Sequence, residues 1–244
     1  MSQLTEASPG VYTLLPGGAA PRALPRGRHR LDREVVLLSQ RSRLLDGMVR
    51  AVAERGYPSA TVADALRHAG VSRATFYQTF SDKEDCFLSA YVAAAKVHHS
   101  RVLSAVEVEP DRRRRLLVGT AAYLDVLDEQ PVYARAFLVE IAAAGPRLAQ
   151  ARSQSIQRYT RLLQRWHAAQ APGRDERLRR LPESVFLAYV VGSNELVTER
   201  LRRRTPRLRE LLPVLMYMQL SLFGMPDEAV AALGTRPPQR RAAD

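Results

Sequence analysis

The chain has 244 residues, of which 46% are hydrophobic, and this is enough for one large folded domain or two small ones. No apolar run reaches the ~18 residues that a membrane helix needs, and residues 1–10 lack the basic start and apolar stretch of a secretory signal. The single cysteine, Cys86, excludes an intramolecular disulfide and a multi-cysteine metal site. We therefore expect a cytoplasmic protein that does not contact a membrane.

The formal net charge of +12 does not locate a functional site. Residues 1–110 hold 14 basic and 11 acidic side chains, whereas residues 111–244 hold 23 and 14. Only Lys83 and Lys96 are lysines, so the basic residues are almost all arginine. Such a charge raises the background affinity for DNA, but most of the surplus lies in the second half of the chain.

The first 40 residues are expected to form a flexible arm, because residues 1–30 show no apolar periodicity. A weak helical pattern begins at about residue 32. Residues 41–55 then predict a helix with one apolar face, which Gly56 and Pro58 end. That face is formed by Leu44, Leu45, Met48, Val49 and Val52.

Two short helices joined by a glycine turn are predicted next. Thr61 caps the first of them, with Asp64 at the third position after the cap, and Gly70 is the left-handed residue that closes it. Ser72 caps the second helix, whose inner face is formed by Phe76 and Phe80.

A third helix is expected to start at the sequence Ser81-Asp82-Lys83-Glu84, which reads as a capping box. Beyond residue 95 the pattern stays helical, with helices at about 112–128, 131–143, 147–169, 181–203 and 207–223. Pro213 should kink the last helix or mark its boundary, and Ala171-Pro172-Gly173 reads as a loop. The fold class is therefore all-α: a three-helix helix-turn-helix domain at 41–88, an antiparallel helical bundle at 89–225 and a tail at 226–244.

The helix after Ser72 has the composition of a helix that enters the major groove of DNA. Arg73 stands at its start, where a guanidinium can read guanine O6 and N7, and the methyl of Ala74 can meet a thymine methyl. Hydroxyls follow at Thr75, Tyr77 and Thr79, at spacings that suit phosphates. A charge on Lys83 opposes the dipole of its helix, which favours an anionic partner over a buried structural role.

The segments ERGYPSATVADALRHAG and GVSRATFYQTFSDKEDCFLSAY closely resemble the DNA-binding domain of TetR-type transcriptional regulators, over about residues 41–92. The resemblance implies that Thr61, Thr75, Tyr77, Thr79 and Lys83 contact phosphates and that Arg73 and Ala74 read bases, with Ser72 as the cap and Gln78 as a further base reader. It also implies a homodimer and a small-molecule effector of unknown identity. The arm before residue 41 departs from the pattern; it is either a disordered extension or a minor-groove contact.

The second half of the chain offers candidates for two surfaces. Coiled-coil spacing and a small side chain predict a dimer interface at Val185, Gly192, Leu208, Leu212, Leu215, Gln219 and Leu222; the alternative is that these stripes form intramolecular core. Aromatic and isolated polar residues on apolar helices predict an effector pocket at Tyr123, Phe137, Tyr159, Trp166, Phe186, Tyr189 and Asn194.

The leading hypothesis is a dimeric repressor that a small-molecule effector releases from a palindromic operator, with the helix from Ser81 as the lever between the domains. The alternative is a DNA-binding regulator without a small ligand, acting constitutively or through a protein partner. No catalytic motif is present, so we expect no enzyme activity and no cofactor. His98 and His99 lack metal-ligand spacing, and no metal site is expected.

Overall fold

A computed structural model describes residues 33–111, 114–169, 181–203 and 207–223. These residues form helices and no strands, which confirms the all-α class. The α-helices are α1 (Arg33–Arg55), α2 (Val62–Ala69), α3 (Arg73–Thr79), α4 (Lys83–Glu107), α5 (Arg114–Glu129), α6 (Pro131–Ala134), α7 (Pro146–Ala169), α8 (Glu183–Arg202) and α9 (Leu212–Leu222).

The chain divides into two compact units. Among the described residues, 33–100 together with 129–151 form the first, here called the N-terminal unit, and 101–111, 114–128, 152–169, 181–203 and 207–223 form the C-terminal unit. The predicted boundary at residue 88 falls inside α4, whose residues are shared between the units. Residues 129–151, expected in the second domain, pack instead with the helix-turn-helix.

Helices α1 and α2 approach each other closely because α1 has a glycine at the point of contact. A Cβ added at Gly47 would lie 2.4 Å from the carbonyl oxygen of Ala65 and 3.1 Å from the Cβ of Ala69. The apolar face predicted for α1 is buried around this contact, with Met48, Val49 and Val52 fully inaccessible. Only a residue without a side chain allows this backbone-to-backbone packing.

The caps of α2 and α3 agree with the sequence prediction. Thr61 Oγ1 accepts a hydrogen bond from the N–H of Asp64 (3.2 Å), and the Asp64 carboxylate accepts one from the N–H of Thr61 (3.1 Å). Gly70 adopts the left-handed conformation, with φ 59°. Ser72 Oγ accepts from the N–H of Thr75 at 3.1 Å.

The cap of α4 is displaced by one residue from the prediction. The helix begins at Lys83, and its cap is Asp82, whose carboxylate accepts from the N–H of Asp85 at 2.8 Å. The Asp85 carboxylate accepts in turn from the N–H of Ser81 (3.1 Å). The predicted Ser81–Glu84 box is therefore wrong: the Asp82 carboxylate takes the first-turn N–H of Asp85, and the Asp85 carboxylate takes the N–H of Ser81 before the helix.

The predicted helix at 131–143 is interrupted. α6 lasts one turn, Arg135–Val139 is π-helical and Glu140–Ala143 is a 3₁₀-helix. This segment is anchored to α1, because the Tyr133 hydroxyl donates to Asp46 Oδ1 (2.7 Å) and Arg50 donates to the other oxygen of Asp46 (2.8 Å). A helical periodicity in the sequence cannot show such a change of pitch, because the change depends on the residues against which the segment packs.

In the C-terminal unit, Asp128 at the end of α5 holds the start of the last helical segment. Its carboxylate accepts from the N–H groups of Leu208 (2.8 Å) and Arg209 (3.0 Å), and the Arg209 side chain pairs with Asp125. Residues 208–211 form a 3₁₀ turn, and α9 then starts with Pro213 in its first turn. The expected effect of Pro213 is thus a boundary rather than a kink.

Three predictions fall wholly or partly outside the described residues: the arm at 1–40, the loop at Ala171-Pro172-Gly173 and the tail from 226. The end of the predicted arm, residues 33–40, forms the start of α1, in line with the weak helical pattern from about residue 32. Among the helices that the structure describes, none is long and apolar enough to cross a membrane.

Candidate nucleic-acid interface

Helix α3 is positioned by its neighbours on both sides. Phe76 is fully buried and packs against Phe80, with ring centroids 5.8 Å apart. Gly70 and Ser72 set the direction of the preceding turn. One face of α3 is therefore fixed in the core of the N-terminal unit, and the other is presented to solvent.

The solvent face carries four of the predicted DNA-binding residues: Arg73, Ala74, Tyr77 and Gln78. Their spacing places them together on one side of the helix. The guanidinium of Arg73 lies 5.6 Å from the centre of the Tyr77 ring, a cation–π distance that orders both side chains. Tyr77 is 49% exposed, a large fraction for an aromatic residue without a binding role.

This face offers the donors and acceptors that base edges and phosphates require. An arginine fork matches guanine O6 and N7, a glutamine amide matches adenine N6 and N7, and an alanine methyl fits beside thymine. The Tyr77 hydroxyl has no hydrogen-bond partner among the described residues and can donate to a phosphate.

The threonines of α3 are already engaged inside the protein. The Thr79 hydroxyl donates to the carbonyl oxygen of Thr75 at 2.8 Å. The same hydroxyl hydrogen would be needed to donate a hydrogen bond to a phosphate. The hydroxyls of Ser72 and Thr75 lie 2.9 Å apart and hydrogen-bond each other. Their phosphate contacts remain predictions, and each requires an internal bond to be shared or exchanged.

Thr61 and Lys83, the predicted contacts outside α3, differ in their surroundings. Thr61 is exposed and caps α2, and its hydroxyl donates to Asp64 at 2.7 Å, which holds the pKa of Asp64 below its usual value. Lys83 is half-buried and donates to the carbonyl oxygens of Tyr57 (2.8 Å) and Ala60 (3.0 Å). Lys83 therefore has a structural role inside the protein, although its unfavourable position on the helix dipole argued against one.

Two arginines of α1 also support the helix-turn-helix, and sequence reasoning missed them. Arg43 donates to the carbonyl oxygen of Ala69 at 3.1 Å, at the C-terminal end of α2 where a cation is favoured. Arg41 lies 4.7 Å above the Phe80 ring. The signal available in the sequence was their position on α1, with Arg43 one residue and Arg41 three residues before the buried Leu44, but nothing there identifies the partners.

The predicted effector residues do not all lie in one unit. Phe137 is part of the N-terminal core, with its ring 5.4 Å from that of Phe87 and 5.5 Å from that of Tyr91. The other six residues belong to the C-terminal unit. Phe137 therefore has an aromatic core role within the helix-turn-helix unit.

Two separate sets of polar side chains connect helices within the C-terminal unit. Tyr123 donates to Asn194 Oδ1 at 2.8 Å, and Thr120 donates to Gln219 Oε1 at 3.1 Å and lies 3.3 Å from the Tyr189 hydroxyl. Burial raises the pKa of both phenols, which keeps them neutral. Phe186 instead joins an aromatic cluster, 5.5 Å from His167 and 4.8 Å from Phe223.

Four of the seven predicted dimer residues are buried within the single chain. Leu208, Leu212, Leu215 and Gln219 are at most 3% exposed. Their regular spacing reflects packing inside the C-terminal unit, which is the alternative that the sequence left open. The same periodicity is found in an intramolecular core and in a dimer interface. Val185 and Gly192 are half-buried, and Leu222 is 37% exposed.

A different apolar surface is exposed on α8 and α9. Leu187 and Val191 lie one turn apart on α8, and Tyr217 and Leu222 face solvent on α9. Helices α8 and α9 approach each other at Gly192, where an added Cβ would lie 3.1 Å from the Met218 methyl. Exposed apolar residues one turn apart, such as Leu187 and Val191, are typical of a protein–protein interface.

Comparison with known proteins finds similarity over the helix-turn-helix and over the fold. The family model described as bacterial regulatory proteins, tetR family, matches residues 44–90, which include α2 and α3. The chain is 29% identical over 159 residues to the HTH-type transcriptional regulator EthR of Mycolicibacterium smegmatis, covering 63% of this chain and 66% of that protein. It is 28% identical over 104 residues to the HTH-type transcriptional activator FasR of the same organism, covering 43% and 48%. The chain thus spans less than two thirds of each relative.

Solved structures show the same fold. The fatty acid degradation regulator FadR of Bacillus halodurans superposes with a TM-score of 0.63 at 22% identity, covering 75% of this chain and 97% of that one. FadR of Bacillus subtilis, solved in complex with stearoyl-CoA, gives a TM-score of 0.62 at 19% identity, with the same coverage.

Proposed function

We propose that this chain is a DNA-binding transcriptional regulator of the tetR type, and that it acts in the cytoplasm as a dimeric repressor that a small molecule releases from its operator. The observation that carries the DNA-binding part is the solvent face of α3, with its Arg73–Tyr77 pair. Each further part of the proposal has its own support and its own test.

Two-fold operator recognition is supported by the exposed apolar surface on α8 and α9. A symmetric dimer places two recognition helices about one DNA turn apart, so that each reads one half-site of a palindrome. Sequencing the duplexes that the purified protein selects from a random library tests this arrangement. We expect an inverted repeat with half-site centres separated by about 10 bp or a multiple of it; a single asymmetric site contradicts the dimer.

Arg73 tests the docking of α3. We expect Arg73→Ala to weaken binding to the selected duplex by about tenfold or more and to relax the preference at one base pair of each half-site, because a bidentate base contact contributes about 1–3 kcal/mol of discrimination. Arg161→Ala is the matched control, since it removes the same charge from an exposed position on α7. Equal affinities for the two variants in a fluorescence anisotropy titration would show that α3 does not read the site.

Release by an effector is supported by the polar groups inside the C-terminal unit, in particular the Tyr123–Asn194 and Thr120–Gln219 pairs. A panel of compounds, including stearoyl-CoA because the Bacillus subtilis relative contains it, is screened by thermal shift. A true effector at about 100 times its Kd adds about 2.7 kcal/mol, or roughly 5 °C or more. The same compound must lower the affinity for the selected duplex.

The alternative is a regulator that needs no small ligand. It is favoured if no compound both stabilises the protein and changes its affinity for DNA. A reporter with the selected site downstream of a promoter measures the direction of control: the proposal expects repression, and activation, as the name of FasR states for that relative, contradicts it.

A further inference from the structure

We propose that the ligand site of the C-terminal unit takes an organic acid, with an anionic group bound by Arg152 and Asn194 and an apolar body against the neighbouring aromatic side chains. This deepens the proposed function and rests on it, because it names the chemical class of the small molecule that acts there. The inference is carried by three half-buried side chains of α5, α7 and α8 that lie near one another: Tyr123, Arg152 and Asn194.

One side of α7 faces the interior of the C-terminal unit without being fully covered. Arg152, Tyr159 and Trp166 follow one another at intervals of seven residues, which places them on the same side of the helix. All three are half-buried, whereas Arg158 and Arg161 on the rest of the helix surface are exposed. A cationic side chain and two aromatic side chains are therefore aligned along the inner side of α7.

Tyr123 of α5 faces the same interior. Burial raises the pKa of both Tyr123 and Tyr159, and the nearby Tyr159 raises that of Tyr123 further. Both phenols are therefore removed from bulk water and stay neutral. Both nevertheless keep accessible surface, since neither is fully buried. Accessible surface at a place that is removed from bulk water indicates a space inside the unit, as a ligand pocket requires.

Two groups beside Tyr123 have hydrogen atoms left to donate. The Tyr123 hydroxyl donates to Asn194 Oδ1 at 2.8 Å, and the Nδ2 hydrogens of Asn194 have no acceptor among the described residues. The guanidinium of Arg152 lies close enough for its charge to lower the pKa of Tyr123. Within the described part of the chain, no carboxylate pairs with Arg152.

An anion satisfies both donors. A half-buried guanidinium that lacks a carboxylate partner has lost part of its hydration, and a carboxylate or phosphate compensates for this through charge-assisted hydrogen bonds. A neutral group compensates less, and a cation is repelled by Arg152. The rings of Tyr159 and Trp166 offer the apolar surface that the rest of the molecule requires. The ligand class is therefore an acid with an apolar body.

Matched pairs of compounds test the class on the full chain. The probes are decanoate, decyl phosphate and the neutral decanamide, together with naphthoate and naphthamide. The fluorescence of Trp166, the single tryptophan of the chain, measures binding. We expect at least one acid to bind about tenfold or more tightly than its amide, as a charge-assisted hydrogen bond predicts. Decanoate and decyl phosphate distinguish the two anionic groups, and a preference for either over decanamide supports the proposal.

A variant of Arg152 shows whether this preference arises at the proposed site. Arg152→Gln should abolish the preference for the acid and leave the affinity for the amide within about twofold, because only the charge-assisted part is lost. Arg161→Gln removes the same charge from an exposed position on α7 and should behave like the wild-type protein. Equal affinities for acid and amide in the wild-type protein, no binding by any acid, or a preference that survives in Arg152→Gln would each overturn the proposal.

The affinity for the selected duplex separates this proposal from the proposed function. An acid that binds through Arg152 and weakens DNA binding supports both. An acid that binds through Arg152 and leaves DNA binding unchanged supports the ligand class and contradicts release from the operator. A compound without an anionic group that binds at this site and releases the DNA supports the proposed function and overturns the ligand class.

Discussion

Asp64 shows how a single side chain can stabilise the helix-turn-helix by closing a cap. Its carboxylate accepts from both the hydroxyl and the N–H of Thr61, and Arg55 and Arg67 lie within 3.2 and 3.0 Å of it. These contacts, the Thr61 hydroxyl first among them, favour the ionised form and lower the pKa of Asp64. A carboxylate with a lowered pKa stabilises the folded state above its ordinary pKa and loses that effect as the pH falls through its folded value.

We therefore expect Asp64→Asn to melt at a lower temperature than the wild-type protein at pH 7, with a difference that shrinks as the pH falls below about 4. Thermal denaturation at a series of pH values measures this difference. Glu107→Gln, at an exposed site on α4, serves as the control and should give a difference that does not depend on pH. A pH-independent difference for Asp64→Asn contradicts the stabilising role of its charge.

Residue roles on α3 were predictable where they follow from periodicity alone. Arg73, Ala74, Tyr77 and Gln78 face solvent because Phe76 fixes the inner side of the same short helix. The fate of a flexible or hydroxyl side chain was less predictable. Lys83 is directed into the protein by carbonyl groups 23 and 26 residues earlier in the chain, and no local pattern encodes such a contact.

At the scale of elements, the contact between α1 and α2 depends on Gly47. A methyl group there would overlap the carbonyl oxygen of Ala65, a backbone atom that moves only if a whole helix moves. A glycine inside a helix usually costs stability relative to alanine. Here the opposite is expected, because the close packing of the two helices outweighs the propensity of alanine.

Gly47→Ala should accordingly destabilise the protein by about 1–3 kcal/mol, the usual cost of overpacking, and lower the melting temperature by roughly 3–10 °C. Gly119→Ala is the matched control on α5: its Cβ would meet only side-chain atoms, the nearest being a Val106 methyl at 3.1 Å, so its cost should be smaller. A more stable Gly47→Ala variant would show that α1 and α2 are not held as described.

The segment after α6 is the element that the sequence described least well. Its residues are helical by periodicity, yet they form a π-turn and a 3₁₀-turn, and they pack with the helix-turn-helix through the Tyr133–Asp46 bond. The two units are consequently joined at three places in the chain, within α4, between Asp128 and Glu129, and within α7. The helix from Ser81, expected to be the lever between the domains, is thus one of three covalent connections between the two units.

For the whole molecule, the proposed dimer depends on the exposed faces of α8 and α9. We expect the wild-type protein to be a dimer and Val191→Glu to be a monomer at micromolar concentration, because a carboxylate in the centre of an apolar interface loses its water without gaining a partner. Sedimentation velocity measures the two masses. The variant should also lose most of its affinity for a palindromic duplex, since each subunit then binds alone.

Val92→Glu provides the comparison, because Val92 is 53% exposed on α4 against 45% for Val191. It should remain a dimer with unchanged affinity for the duplex. If Val191→Glu remains a dimer as well, the interface lies elsewhere on the chain.

The all-α class, the caps of α2 and α3 and the solvent face of the recognition helix follow from the amino-acid sequence alone. These features depend on residues within one or two helical turns of each other, where capping and periodicity act directly. The tertiary structure decided which apolar stripe is core, where residues 129–151 belong and what Lys83 and Gly47 contact. Each of these depends on groups far apart in the chain: the same leucine spacing suits a core or an interface, and a lysine finds its acceptors only when the loop and the helix have been brought together.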